Sequence, residues 1–528
     1  MKHSVSRREF MNLVSATLGT GALIQLGSAL SLLPMTAQAA SLSLATPTPG
    51  KGKVVILGAG ISGLTVAWEL TKAGYDCTVL EASNRAGGRV FTVRSGTVID
   101  EIGNRQVCEW DKEPHMYFNA GAARIPSTHR NLLHYCKELG VELEMFINES
   151  KTAYMQDDNM MGGQRIRNAE VSTNVRGFLA ELFAKCYTAA QLNEPFTEAE
   201  SETILGLIRQ FGDLDRSKMR YTGSARAGYV SGGFLEHGVQ KEMIEIRNLM
   251  ESRLIGSTFT ANEGETGPML MQPVGGMDMV VQGFTRKLGD KVIYGAPVVG
   301  VQVKEDGVEV AYDHGGSRHS IAADYCFNCI PAHLMTGIPN NYPQDYLASM
   351  RSIRRGEAYK SAFQAKTRFW EDEDIYGGIS WINAPISQIW YPPHGIHKAK
   401  GIILSAYNFG GGMVFTKMSQ EERVEAALAQ GEKLHPNYRE VVEKPVTIAW
   451  HRMNHMLGCS ARWGSGFGGW TDEVQTLFDR LQQPVNGRHY FIGDQMAYHG
   501  AWQESAIASA HWALKDMDQR VRSMATQA

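Results

Sequence analysis

Lys53-Val54-Val55-Ile56-Leu57-Gly58-Ala59-Gly60-Ile61-Ser62-Gly63 opens the folded part of the chain. Its first five residues are the short apolar run of a strand buried on both faces in a parallel sheet. Glycine recurs at 58, 60 and 63, and a helix is expected through Leu64 to Lys72. Gly58 permits a sharp turn, Gly60 lets the backbone approach a diphosphate, and Gly63 lets the helix pack close to the sheet. The N–H groups near Ile61 and Ser62 would then face phosphate at the helix N-terminus, where the dipole favours negative charge. A second strand, Cys77-Thr78-Val79-Leu80, ends in Glu81 and Ala82. An acid about 20 residues beyond the glycines accepts hydrogen bonds from an adenosine ribose. Strand, glycines, helix, strand and acid in register predict a dinucleotide-binding βαβ unit.

At 528 residues the chain exceeds what one core organises, so two or three units are expected. With 43% hydrophobic and 20% charged residues and a net charge of −3, it reads as a soluble enzyme. It lacks the basic face of a nucleic-acid binder. The N-terminus reads as a targeting segment: Lys2, Arg7 and Arg8, a hydrophobic stretch from about Leu13 to Leu33, then Ala37-Gln38-Ala39 as a cleavage site. Ser6-Arg7-Arg8-Glu9-Phe10-Met11 resembles a twin-arginine signal, a route for proteins already folded around a cofactor. Residues 1–39 are therefore expected to be a signal peptide rather than an uncleaved anchor, and the mature protein to be periplasmic or secreted. No later run reaches the length of a membrane span.

The seven cysteines show no framework spacing. Cys326 and Cys329 lie in Tyr325-Cys326-Phe327-Asn328-Cys329-Ile330, which reads as a strand pointing them to opposite faces. They are expected to be small buried hydrophobes, with neither a disulfide nor a metal site. A helix is expected from Asn131 to Leu139, and a mostly helical, charged stretch from Thr173 to about Arg253. A hairpin is expected from Val298–Val303 and Gly307–Tyr312, with a buried strand from Asp324 to Ile330. Ala358 to Ala406 reads as β-rich, punctuated by Trp370, Trp381 and Trp390, and a helix covers Gln420 to Lys433. Tyr490-Phe491-Ile492 closes as a strand before a long helix from about Trp502 to Val521.

Glu81-x-x-x-Arg85-x-Gly87-Gly88-Arg89 resembles the extended signature of the flavin amine oxidase family, and the resemblance runs over nearly the whole mature chain. It implies FAD rather than NAD, with Arg89 pairing with the diphosphate. It also implies an α/β fold: a discontinuous FAD-binding Rossmann-like domain (40–126, 268–330 and 446–528), a mainly helical domain (127–267) and a mixed-sheet substrate-binding domain (331–445). Several segments are most similar to the L-amino acid oxidases. Asn119-Ala120-Gly121-Ala122-Ala123-Arg124-Ile125-Pro126 resembles their Gly-x-x-Arg-hydrophobic-Pro segment, whose backbone lies on the flavin and whose arginine holds the substrate carboxylate. A planar guanidinium suits that bidentate grip.

By the same resemblance Tyr407 shares the carboxylate grip, and Lys360 is the flavin-facing lysine that holds a water and assists reoxidation. Asp494, where the family commonly has Glu, serves the ribityl–diphosphate region, and Val298 meets the adenine. Ala501-Trp502-Gln503-Glu504-Ser505-Ala506 opens a helix toward the flavin N1–C2=O edge, with Ala501 and Trp502 against the substrate. Trp450 and Cys459 are spaced as are the tryptophan and flavin-linked cysteine of monoamine oxidases. Ser460 stands where a tyrosine would follow, so the FAD is expected to be non-covalent. His237 lacks the matched context to stand for the histidine that some relatives carry in the helical domain.

The implied reaction is oxidative deamination of an L-amino acid by hydride transfer from Cα to flavin N5, yielding a 2-oxo acid, ammonia and hydrogen peroxide. The implied partners are the amino acid and dioxygen, with no nucleic acid, no membrane after signal cleavage, and a homo-oligomer, in this family commonly a dimer. The other readings are an amine oxidase on substrates without a carboxylate, an amino acid 2-monooxygenase giving an amide, and a non-catalytic flavin-binding protein.

Overall fold

Strand β1 (Lys53–Leu57) is buried at every residue after Lys53 and leads through Gly58 into helix α1 (Ile61–Lys72), which returns to strand β2 (Asp76–Leu80). The computed structural model describes residues 42–47, 52–189, 197–260, 264–267, 269–464 and 470–527. The expected signal peptide, 1–39, lies outside the described residues. Gly58 turns the chain at φ +97°, a conformation that a side chain would strain. A Cβ on Gly63 would stand 2.2 Å from the Gly58 carbonyl oxygen and 2.9 Å from Cys329 Sγ, so glycine alone lets α1 lie this close to the sheet.

The five-stranded parallel sheet runs in the order Val292–Ile293, β2, β1, β3 (Tyr325–Asn328), His489–Phe491. Helix α2 (Arg130–Glu138), helix Met279–Leu288 and the C-terminal helix α3 (Gln503–Gln527) cover one face with α1, where Leu64, Leu70, Leu132, Phe284, Ile507 and Leu514 form one core. The expected hairpin is present and gains a third strand, Ser317–Ala323. The second large sheet has seven strands, in the order Ile166–Arg167, Tyr154–Gln156, Gly378–Ile382, Gln388–Tyr391, β5 (Gly401–Phe409), β4 (Ala358–Ala365), β6 (Val442–Ala449). It is mixed, because Gly378–Ile382 pairs with Tyr154–Gln156 in parallel and the rest are antiparallel. Every residue of β4 is buried, Lys360 included.

Two expectations change. Helices Asn168–Ala189 and Glu198–Gly212 are present, but beyond them the chain forms a hairpin, Tyr229–Ser231 with Val239–Gln240, and only a short helix at Ile246–Met250. Gly223, Gly228, Gly232 and Gly233 all adopt positive φ there, which a helix cannot contain. Strand β3 stops at Asn328, so Cys329 lies in the following turn; its thiol donates to the carbonyls of Leu57 and Gly58 at 2.9 and 3.0 Å. It is therefore a polar brace under the glycine turn rather than a passive hydrophobe. Cys326 is buried and free, as expected. Among the described residues no helix is long and apolar enough to cross a membrane.

Arg423 and Glu101 form an ion pair at 2.7 Å with both side chains at 0% exposure. Glu101 also accepts from the Ala449 amide at 2.5 Å, and Arg423 Nε donates to the Phe415 carbonyl at 2.8 Å. The pair thus fastens the end of β6 to helix Gln420–Gly431 and strand Val98–Glu101. Removing one partner strands a buried charge, at about 3–5 kcal/mol. Glu101→Ala is expected to lower unfolding stability by that amount in denaturant titration, and Glu101→Leu with Arg423→Met to recover most of it. Additive losses in the double variant would contradict this.

Candidate active site

The C-terminal ends of β1 and β2 open into a cavity of about 850 Å³ that continues to the face of the seven-stranded sheet. At its first end lies the glycine turn. Helix α1 begins at Gly60 with no side-chain cap and no acid in its first turn, so its leading N–H groups await an anion. A Cβ added to Gly60 would meet nothing within 4 Å, in contrast to Gly63; the space beside Gly60 is open to a ligand. Glu81 Oε2 accepts from the Ala59 amide at 2.8 Å, and Oε1 accepts from the Ser83 amide and hydroxyl at 2.9 and 2.7 Å. These bonds fix the carboxylate in the cavity wall, and its oxygens keep acceptor capacity for ribose hydroxyls. Uncapped turn, open Gly60 and fixed acid fit an adenine dinucleotide.

At the other end, the register of β4 with β5 sets Lys360 directly opposite Tyr407. Lys360 Nζ lies 4.7 Å from the Tyr407 ring centroid and donates to the carbonyls of Asn119 and Gly121 at 3.0 and 2.8 Å. Trp450 Nε1 donates to the neighbouring Ala120 carbonyl at 3.2 Å. Lysine and tryptophan thereby pin the segment that carries Arg124. Arg124 donates to Asn148 Oδ1 and stacks on Trp390, its Cζ 5.0 Å from the ring centroid. Burial lowers its pKa, opposed by Tyr407, and no carboxylate of the described residues pairs with it. Burial also pushes Tyr407 up to about 12, and it pushes Lys360 down to about 7, with the charge of Arg124 adding to that fall.

Between the two ends, both terminal nitrogens of Arg89 bind the Asp494 carboxylate, the longer contact being 2.8 Å, and Nη1 also donates to the Cys459 carbonyl at 2.9 Å. Burial alone would raise the Asp494 pKa, but Arg89 pulls it down to about 2. The sequence set Arg89 against the diphosphate; in the structure it lines the cavity with Asp494 bound to both its terminal nitrogens. Ala501 turns the chain into α3 at φ +71°. Beside it Trp502 donates to His499 at 3.1 Å and meets the edge of His129 with ring centroids 5.0 Å apart.

The cavity brings together Gly58, Gly60, Ile61, Ser62, Glu81, Ala82, Gly88 and Arg89 with the Gly121–Arg124 segment, Val298, Lys360 and Tyr407. Trp450, Asp494, Ala501, Trp502, Gln503 and Ala506 line it as well. Gly63, Glu504 and Ser505 do not. Gly63 is consumed by packing, and the Glu504 carboxylate instead caps α2, accepting from the amides of Asn131 and Leu132 at 3.1 and 2.8 Å. Ser505 donates to the His499 carbonyl. His237 is exposed on the hairpin. Sequence reasoning missed Trp390, which was legible only as an aromatic in a strand, and His129, whose ring lines the wall while Nε2 meets Glu265 at 2.9 Å. It also missed Arg355 and His333, which no motif marks. Among the described residues no group of His, Cys, Asp and Glu is arranged to hold a metal.

The chain is 28% identical over 502 residues to the flavin-dependent L-tryptophan oxidase RebO of Lentzea aerocolonigenes, covering 89% of this chain and 98% of the relative. It is 27% identical over 481 residues to an L-amino-acid oxidase of Gloydius blomhoffii, covering 88% of each. Among solved structures it is similar to a putrescine oxidase (TM-score 0.59, 20% identity, 89% of this chain and 100% of that one). Cyclohexylamine oxidase from Brevibacterium oxydans superposes equally well (TM-score 0.58, 16% identity, 89% and 100%). At those identities the two structures speak for the fold alone. Residues 61–513 match the family described as flavin containing amine oxidoreductase. With a match of that extent laid over a cavity already shaped for an adenine dinucleotide, this chain belongs to the flavin-containing amine oxidoreductases and uses FAD.

Proposed function

We propose that this flavin-dependent oxidoreductase oxidises L-amino acids to 2-oxo acids, releasing ammonia and hydrogen peroxide. The observation that carries the reading is Arg124: a cavity-lining guanidinium, paired with no carboxylate of the described residues, stacked on Trp390 and near Tyr407. Holding such a cation without an acid is costly unless the substrate brings one. A neutral-amine substrate would leave it uncompensated. The names of the two curated relatives support the same substrate class. FAD, when bound, supplies the two-electron oxidation.

The protein's own contribution is grip, orientation and dryness. Arg124 and Tyr407 fix the carboxylate and so restrict where the Cα–H bond can point. Trp390 and Trp502 wall the site and exclude water. Lys360 Nζ, with its pKa near neutrality, holds or releases a proton there. The leader in the sequence supports action outside the cytoplasm, with dioxygen as the second substrate.

Anaerobic mixing with a panel of L-amino acids and the matching amines is expected to bleach flavin absorbance with the amino acids only. Bleaching by amines alone would defeat the reading. Arg124→Met is expected to lower kcat/KM for the preferred amino acid about a hundredfold or more. A loss confined to FAD content would reassign Arg124 to the cofactor.

For Lys360 the native pKa lies below the unfolded value of about 10.4. The unfolded chain therefore binds more protons between about pH 7 and pH 10, and stability rises with pH through that window. Lys360→Met is expected to abolish a kinetic ionisation near pH 7. It should also melt higher than wild type at pH 6, an advantage that shrinks toward pH 10. A difference independent of pH would show that Lys360 is not the titrating group.

A further inference from the structure

The diphosphate of the cofactor is an anion, and the arginine that the motif set against it is occupied by Asp494. Another buried cation stands near that pair without a partner. Arg355 lines the cavity, and its Nε, Nη1 and Nη2 are all closed to solvent without a hydrogen bond among the described residues. It belongs to the edge pair that joins Arg354–Arg355 to Ala461–Arg462, opposite Ala461.

The loop after Trp450 ties Arg355 to the glycine turn. A Cβ on Gly458 would stand 2.8 Å from Arg355 Cβ. Two residues earlier, Met456 reaches the other side: a Cβ on Gly88 would lie 3.8 Å from both Met456 Cε and Gly60 Cα. Arg355 thus sits beside the loop that borders the uncapped N-terminus of α1.

The charges acting on Arg355 do not balance. Asp494 attracts it but is bound to Arg89, which repels it; burial, with that repulsion, brings its pKa down to about 10. His333, facing it, is pushed down to about 4 by burial and by Arg355 itself, and so is neutral at physiological pH. His451 is also held below its ordinary value, by burial first and then by Arg355 against the pull of Glu357. Arg89 and Asp494 cancel, and one positive charge remains in the wall. An unpaired buried guanidinium is unfavourable until an anion arrives.

We propose that Arg355 is a cofactor-binding residue that donates hydrogen bonds to the diphosphate of FAD. The role rests on FAD as cofactor and is independent of which amine is oxidised. The planar fork of an arginine suits two phosphate oxygens, a geometry that lysine matches only as a point charge.

The holoenzyme, Arg355→Met and Arg355→Lys are compared in two ways: FAD release on dilution, read by flavin fluorescence, and phosphorus-31 NMR of the bound cofactor. Arg355→Met is expected to raise the Kd for FAD about tenfold or more, with Arg355→Lys in between. The diphosphate resonances should move in both variants. A Kd within about twofold of wild type overturns the proposal. So does a weakened Kd with unmoved phosphorus resonances, which would make Arg355 a structural residue. Should Arg355→Met fail to fold, the phosphorus spectrum of Arg355→Lys decides alone.

Discussion

The first turn of α1 must come within contact distance of the end of β3, and much of the cavity follows from that constraint. Gly63 has no room for a side chain between the Gly58 carbonyl and Cys329. With the helix pressed down there, its leading N–H groups are aimed past the ends of β1 and β2 instead of into the sheet. Glu81, at the end of β2, is locked by the Ala59 amide of the same turn. Turn, acid and helix terminus are therefore one rigid object. The Cys329 thiol completes it from below by donating to the Leu57 and Gly58 carbonyls.

The second end of the cavity is set by a ladder rather than a turn. β4 is buried along its whole length, so a lysine within it can reach no outer surface and faces the cavity instead. Its amine finds the Asn119 and Gly121 carbonyls, and that bond holds the chain segment bearing Arg124 against the sheet. The same register presents Tyr407 from β5. Arg124, Tyr407 and Lys360 are thus parts of one local structure, and a change to Lys360 should disturb the position of Arg124 as well as any proton it carries.

The βαβ unit was legible because its chemistry is contiguous: strand, three glycines, helix, strand and acid follow one another from Lys53 to Glu81. Arg124, Lys360 and Tyr407 were legible through short motifs alone, and the sheet supplies the reason they meet. Trp390 could not be read from sequence, because its place under Arg124 depends on pairing between strands, Trp390 against Leu404. His129 was hidden for a similar reason: its partner Glu265 is 136 residues away. The motif placed Arg89 at the cavity but was silent about its acid partner, because Asp494 arrives from 405 residues along the chain. The region after Gly212 departs from the expected helical pattern because glycines at positive φ govern the backbone there.

Two bases share the substrate end of the cavity, and they cannot both keep a proton at equal cost. Burial lowers the pKa of each, and the charge of Arg124 lowers that of Lys360 further. Arginine begins with the higher affinity for its proton and also holds Asn148 and the face of Trp390. Lysine has only the two carbonyl acceptors, which the N–H bonds of a neutral amine also fill, more weakly than an ammonium does. Of the two, Lys360 is therefore the first to give up its proton as pH rises. The proposed substrate's carboxylate would change that balance: it would neutralise Arg124, remove its repulsion, and favour a proton on Lys360. Under the proposed reading, substrate binding and the protonation of Lys360 would be coupled through a single guanidinium, and a grip on the carboxylate would also set the charge of the lysine beside it.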